Sequence, residues 1–173
     1  MANTDKTSTP FESLYAFAHR AEYQGLVKAL GELTLNFSLL HYAVEDLAYK
    51  MTGLTFSKGS LIFGQMMFGT LRERAQAIAK DTYPPDTMAT LAPLFVKAKD
   101  VNQRRNNLVH ALWLTKEGSP IHAFDKHTLN LVATATSEQV TVLNKEIVEL
   151  ADQFLSFKAT YYHEVIEPIP PSS

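Results

Sequence analysis

Between residues 104 and 110 the chain reads Arg-Arg-Asn-Asn-Leu-Val-His, and this short run gathers the side chains best suited to chemistry. A guanidinium matches a phosphate oxygen pair in a two-pronged fork, and an imidazole is the side chain that moves a proton near neutral pH. Arg105 and His110 are therefore an apt pair for a phosphodiester. RNA carries its own nucleophile, the 2′-hydroxyl, so a base to take its proton and a cation for the developing charge suffice, with no metal or protein nucleophile. The same residues have a structural reading. Arg105 falls in an apolar seam of Leu91, Leu94, Ala98, Val101, Leu108 and Leu112, where a core residue is expected. There it would pair across the protein with Glu45 or Asp46 as a buried ion pair, and leaving it unpaired would cost a few kcal/mol.

Spacing sets limits on both readings. Asn102, Asn106 and His110 follow one another at intervals of four and share one helix face. Arg105 and His110 lie about 140° apart around that helix, so a twofold axis between two copies would bring an arginine and a histidine together. Other chemistries find less support. His41 and Glu45 stand at i, i+4, but the paired Glu-x-x-His units of a bundle metal site are absent, so no metal and no cofactor is expected. There is no Gly-x-Ser-x-Gly elbow and no glycine-rich phosphate loop. The chain has no cysteine, which excludes disulfides, thiolate catalysis and cysteine zinc sites.

The elements that must position this run are helical. Leu26, Leu30, Leu33, Phe37, Leu40, Val44, Leu47 and Met51 recur in fours and threes, predicting one long amphipathic helix that begins after Phe11 and stops at Gly53. Gly31 lies inside it and weakens it unless close packing needs the gap. A second helix is expected from Ser60 to Lys80, with Leu61, Met67, Leu71, Ala75 and Ile78 inward and Arg72, Glu73 and Arg74 outward. Tyr83-Pro84-Pro85-Asp86 breaks the chain, and Asp86 is a suitable cap for the third helix, in which Pro93 marks a first turn or a kink.

After Trp113 the pattern turns to alternation and β-branched residues. Leu112 to Lys116, the turn at residues 117–120, Ile121 to Phe124 and Thr128 to Ala135 predict a small hairpin or extended excursion. Thr136 and Gln139 stand at capping-box spacing ahead of a last helix whose seam is Val140, Leu143, Ile147, Leu150, Phe154 and Phe157. The expected fold is all-α, an antiparallel bundle of four to five helices with that excursion before the last one. Residues 1–10 form a polar leader, 11–167 one domain and 168–173 a proline-rich tail. The first helix outruns its neighbours, and its surplus seam is available to a second copy, which makes a homodimer the expected assembly.

Composition agrees with a single cored domain. The 173 residues are 46% hydrophobic and 20% charged, with a net charge of −2. That balance excludes a bulk nucleic-acid coat without excluding a local basic site. No apolar run approaches a membrane span and the start lacks a signal-peptide core, so a cytoplasmic protein is expected.

Arg105-Asn106-Asn107-Leu108-Val109-His110 resembles the Arg-Asn-x-x-x-His motif of HEPN domains, the higher-eukaryote and prokaryote nucleotide-binding family. The order of elements is similar as well: a long first helix, a second, the motif near the end of the third, and a final helix. The resemblance covers most of the chain, from Phe11 to Glu164. It implies a helical bundle that dimerises with both motifs facing one cleft. Active members are metal-independent endoribonucleases of toxin–antitoxin, phage-defence and RNA-processing systems. By that resemblance Arg105 stabilises the strained phosphate, His110 transfers the proton and Asn106 orients them, giving a 2′,3′-cyclic phosphate. Asn102 and Arg104 lie outside the motif and are read as substrate contacts. Leu112 replaces the tyrosine that one toxin branch presents to a nucleotidyltransferase antitoxin, which speaks against that partnership. Other members bind a nucleotide, RNA or protein without cleaving, and a non-catalytic helical dimer is the alternative reading.

Overall fold

The computed structural model describes residues 23–114, 122–124, 128, 130–133 and 136–165. Five helices fall within them: α1 (Gln24–Thr52), α2 (Phe56–Phe63), α3 (Phe68–Thr82), α4 (Pro85–Val109) and α5 (Ser137–Val165). Three short strands, β1 (Leu112–Leu114), β2 (His122–Phe124) and β3 (Leu131–Ala133), separate α4 from α5. The fold is an all-α bundle carrying this small excursion, as expected. The expected leader, residues 11–22 of the first helix, the turn at 117–120 and the tail lie outside the described residues.

Every seam residue of α1 turns inward. Leu26, Leu33, Phe37, Leu40, Val44 and Leu47 are buried, and Leu30 and Met51 pack partly against the same core. Gly53 ends the helix at φ 64°, a left-handed backbone that glycine adopts without a side-chain clash. Its N–H and that of Leu54 return to the carbonyls of Lys50 and Tyr49, both at 3.1 Å, closing the last turn. At the other boundary Thr136 and Gln139 cap α5 reciprocally, backbone N–H to side-chain oxygen, at 3.1 and 3.2 Å.

Successive helices reverse direction, so the first and fifth run the same way. Ala29 accepts a hydrogen bond from Asn144 (3.0 Å), Lys158 pairs with Asp46, and Lys50 sits 4.8 Å above the ring of Tyr162. These contacts advance together along both helices. By contrast α4 runs against α5: Phe95 meets Phe154 at 5.3 Å, and Arg104 meets Glu146 farther along. Here one expectation is corrected. Over the described residues the seam of α1 has no surplus, because α5 is also 29 residues long and lies parallel against it.

The second expected helix is two. α2 ends at Phe63, and Gly64 to Met67 turn the chain before α3 begins at Phe68. That turn resets the helical phase, so Leu61 and Met67, expected inside, are 84% and 82% exposed. Arg72, expected outside, is buried and donates to Glu73 at 2.9 Å and Gln76 at 3.3 Å. α2 lies close on α1 at Gly59, where an added Cβ would fall 2.3 Å from the ring of Tyr49. The third expected helix starts one residue before Asp86, at Pro85, whose missing N–H costs nothing in a first turn. Pro93 is interior to it.

The excursion is a three-stranded antiparallel meander. Leu112 pairs with Phe124, Trp113 with Ala123 and Leu114 with His122, while β2 and β3 pair through an irregularity at Ala123 and Phe124. No helix of the described residues is long and apolar enough to cross a membrane.

Candidate functional site

The motif occupies the last turn and a half of α4, and neighbouring positions there face different elements. Arg105 keeps its seam position and turns toward α1. Its guanidinium carbon lies 4.8 Å above the ring of Phe37, and Nη1 donates to Asn106 Oδ1 at 3.0 Å. Stacking on an aromatic face suits a planar, weakly hydrated cation. The ion pair expected as the structural reading is absent: Lys158 holds Asp46, and Arg105 pairs with neither Asp46 nor Glu45 among the described residues. The physical reason is register. Phe37 is the α1 residue level with Arg105, and the two carboxylates lie two turns or more farther along. Arg105 Nε is buried without a hydrogen-bond partner, and burial lowers the guanidinium pKa from its ordinary value.

Asn106 ties the two ends of the motif together. Its side chain accepts from Arg105, and its carbonyl accepts the N–H of His110 at 3.0 Å. His110 caps α4 with φ −100° and ψ 2°, and its ring is exposed. The following strand folds back onto the same helix end, where Trp113 Nε1 donates to the carbonyl of Leu108 at 3.0 Å. That bond satisfies one of the carbonyls a helix leaves open at its C-terminus. Asn102 is half-buried one turn before Asn106.

Arg104 goes elsewhere. It reaches across to α5, making a two-pronged pair with Glu146, one arm at 3.1 Å, and a second pair with Asp100 at 3.3 Å. The hydrogen bonds that Arg104 donates to Glu146 raise its pKa above the ordinary value, followed by smaller contributions from Asp100. The side chain is thus a clamp between α4 and α5, about 100° around α4 from Arg105. The same side holds a groove of about 430 Å³, whose polar rim includes Asp100, Glu146 and Glu149 over Val96, Val101 and Leu150. Lys97 lines the same groove, and Asp100 and Glu146 are paired with Arg104, whereas Arg105 pairs with no carboxylate among the described residues.

The walls beside Arg105 were not among the expected site residues. Phe37 packs edge-on against Phe68 at 4.8 Å, and Phe68 in turn meets His41 at 5.7 Å. His41 Nε2 is buried without a partner, and burial lowers the imidazole pKa from 6.5. The ring is therefore neutral at neutral pH. Its spacing of four from Phe37 was visible in the sequence, but only Glu45 on its other side suggested a role for it. Glu45 has its pKa raised, first by burial and then by Asp46. Among the described residues no three His, Asp or Glu side chains cluster so as to hold a metal ion.

The site thus joins a stacked arginine that pairs with no carboxylate among the described residues, an asparagine hydrogen-bonded to it, and an exposed histidine on the next turn of one helix. No family model matches this chain, and no curated protein and no solved structure is detectably similar to it.

Proposed function

We propose that this protein is a HEPN-like, metal-independent endoribonuclease that works as a homodimer in the cytoplasm, in a toxin, defence or RNA-processing role. One observation carries the reading: Arg105 is a cation held in place by Phe37 and Asn106 yet, among the described residues, neutralised by no carboxylate. Such an arginine is available to an anion, and the exposed His110 stands one turn on. In the proposed step His110 takes the proton of a 2′-hydroxyl, whose oxygen attacks the adjacent phosphorus. The bond to the 5′-oxygen breaks, that oxygen takes a proton from water, and His110 returns to solvent the proton it took. The products are a 2′,3′-cyclic phosphate and a 5′-hydroxyl end. Arg105 balances the charge that builds on the phosphate oxygens, and Asn106 fixes the arginine's direction.

Arg104, the other expected substrate contact, has Nη1 and Nη2 paired with Glu146 and Asp100 and is given no role in this step. Asn102 is retained as a substrate contact because it shares the face of Asn106 and His110. The direct test is single-stranded RNA incubated in EDTA, read for cyclic phosphate ends. A substrate carrying 2′-deoxyribose at the cut site must survive intact. Cleavage of that substrate, or a strict need for a divalent ion, would reject the mechanism.

A second reading is favoured by the outward exposure of His110 while Arg105 faces Phe37. It is a helical dimer that binds a nucleotide, RNA or protein without cutting. It predicts thermal stabilisation by RNA with no turnover.

A further inference from the structure

α4 ends without the residues that usually end a helix. No glycine or proline stands between Pro93 and Gly118, so neither of the usual signals stops the helix at Val109. His110 follows at φ −100° and ψ 2°, in the bridge between helical and extended backbone. The last regular bond runs from the His110 N–H to the carbonyl of Asn106, at 3.0 Å. In a continuing helix the carbonyl of Leu108 would receive the N–H of Leu112, four residues on. It receives the indole N–H of Trp113 instead, at 3.0 Å, while Leu112 pairs in β1 with Phe124. Trp113 is itself held: it lies opposite the buried Ala123 in the sheet and packs on the edge of the bundle core.

We infer that Trp113 is a positioning residue for His110: its indole ends α4 at Val109, turns the chain into β1 and holds the histidine between two fixed points. One point lies four residues behind His110, at the carbonyl of Asn106, and the other three residues ahead, at the indole. Asn106 also accepts from Arg105 through its side chain, so a single residue ties the backbone of His110 to the guanidinium. This matters for the proposed step because a proton moves only across a heavy-atom distance of about 2.6–3.2 Å. An exposed residue at a helix end frays when it is not tied down, and His110 is exposed. The indole bond therefore supplies an order that the local sequence does not. The inference rests on the proposed role of His110, and Trp113 acts only through that residue. The competing account keeps Trp113 for its apolar packing alone, with the N–H incidental.

Trp113→Phe separates the two, because it keeps an aromatic ring and removes the N–H. Backbone amide relaxation of the full chain, by NMR, reads the placement of His110 without any activity. Wild-type His110 is expected near the rigid-backbone order parameter of about 0.85, and the variant below about 0.6 from Val109 to Ala111, with Asn102 to Asn106 unchanged. A variant whose His110 amide is as ordered as the wild type's overturns the inference. So does a wild-type indole N–H that exchanges with solvent as fast as a free one, a measurement that stands even if the variant does not fold. Phe154→Leu, which loosens the contact with Phe95 between α4 and α5, is the control for lost packing. If wild type cuts RNA, Trp113→Phe is expected to lower kcat about tenfold at unchanged KM, well beyond the effect of Phe154→Leu, both assayed far below their melting temperatures. An unchanged kcat, or equal losses in the two variants, overturns the inference. A wild type that cuts no RNA sinks the ribonuclease reading, and the relaxation data still decide whether Trp113 places His110.

Discussion

Arg105 shows how a charged residue can hold a core position without an ion pair. Its flat cation lies on Phe37, one nitrogen is used by Asn106 and one is left buried and unpartnered. An unpaired buried donor costs about 1–3 kcal/mol, which offsets the stacking and the single hydrogen bond. Arg105→Met is accordingly expected to change unfolding stability by less than about 1 kcal/mol. Urea denaturation measures this, and a loss of about 3–5 kcal/mol would instead reveal a buried charge pair. His41 makes a second residue-scale prediction. Its folded pKa lies below the 6.5 of the unfolded side chain, so below that pH the unfolded state binds more protons. Stability contributed by the neutral ring is fully present above pH 6.5 and is lost as the pH falls toward the folded value. Melting temperatures of the wild type should decline across that window, and His41→Phe should flatten this part of the profile. Identical profiles for the two proteins would contradict the assignment.

At the scale of elements, the boundaries that depend on local chemistry were legible in the sequence. The glycine stop of α1, the capping box of α5 and the strands after Trp113 each rest on residues within a few positions of one another. Thr136→Ala should therefore cost about 1 kcal/mol, as the loss of a helix cap typically does. What the periodicity hid was the break at Gly64. Apolar residues on both sides continue an approximate helical rhythm, so Leu61 and Met67 looked like core when they are surface. The docking of α2 depends on a distant partner, Tyr49, that no local pattern announces. Gly59→Ala would push a methyl into that ring, and a destabilisation of about 1–3 kcal/mol is expected. An unchanged melting temperature would mean that α2 does not sit on Tyr49. The candidate site divides in the same way. The run from Arg104 to His110 was visible as chemistry, but the roles of Arg104 and Arg105 separate only once α5 and α1 are placed on either side of α4.

For the whole molecule, the bundle was foreseeable from its seams, whereas the pairing of parallel α1 and α5 was not. Both seams are apolar throughout, and either could have met any other. The contacts Ala29–Asn144 and Asp46–Lys158 select one arrangement. That arrangement uses the entire inner seam of α1. It also puts the groove lined by Asp100, Glu146, Glu149 and Lys97 on one side of α4 and Arg105, which pairs with no carboxylate among the described residues, on the other. The central claim is that Arg105 and His110 act together to cleave RNA. The measurement that reaches it most directly is cleavage of single-stranded RNA in EDTA by wild type, Arg105→Met and His110→Ala, each shown to be folded. Wild type is expected to yield 2′,3′-cyclic phosphate ends, and either variant to cut at least about a hundredfold more slowly. Equal cutting by a variant, or RNA bound by the wild type and left whole, would contradict it.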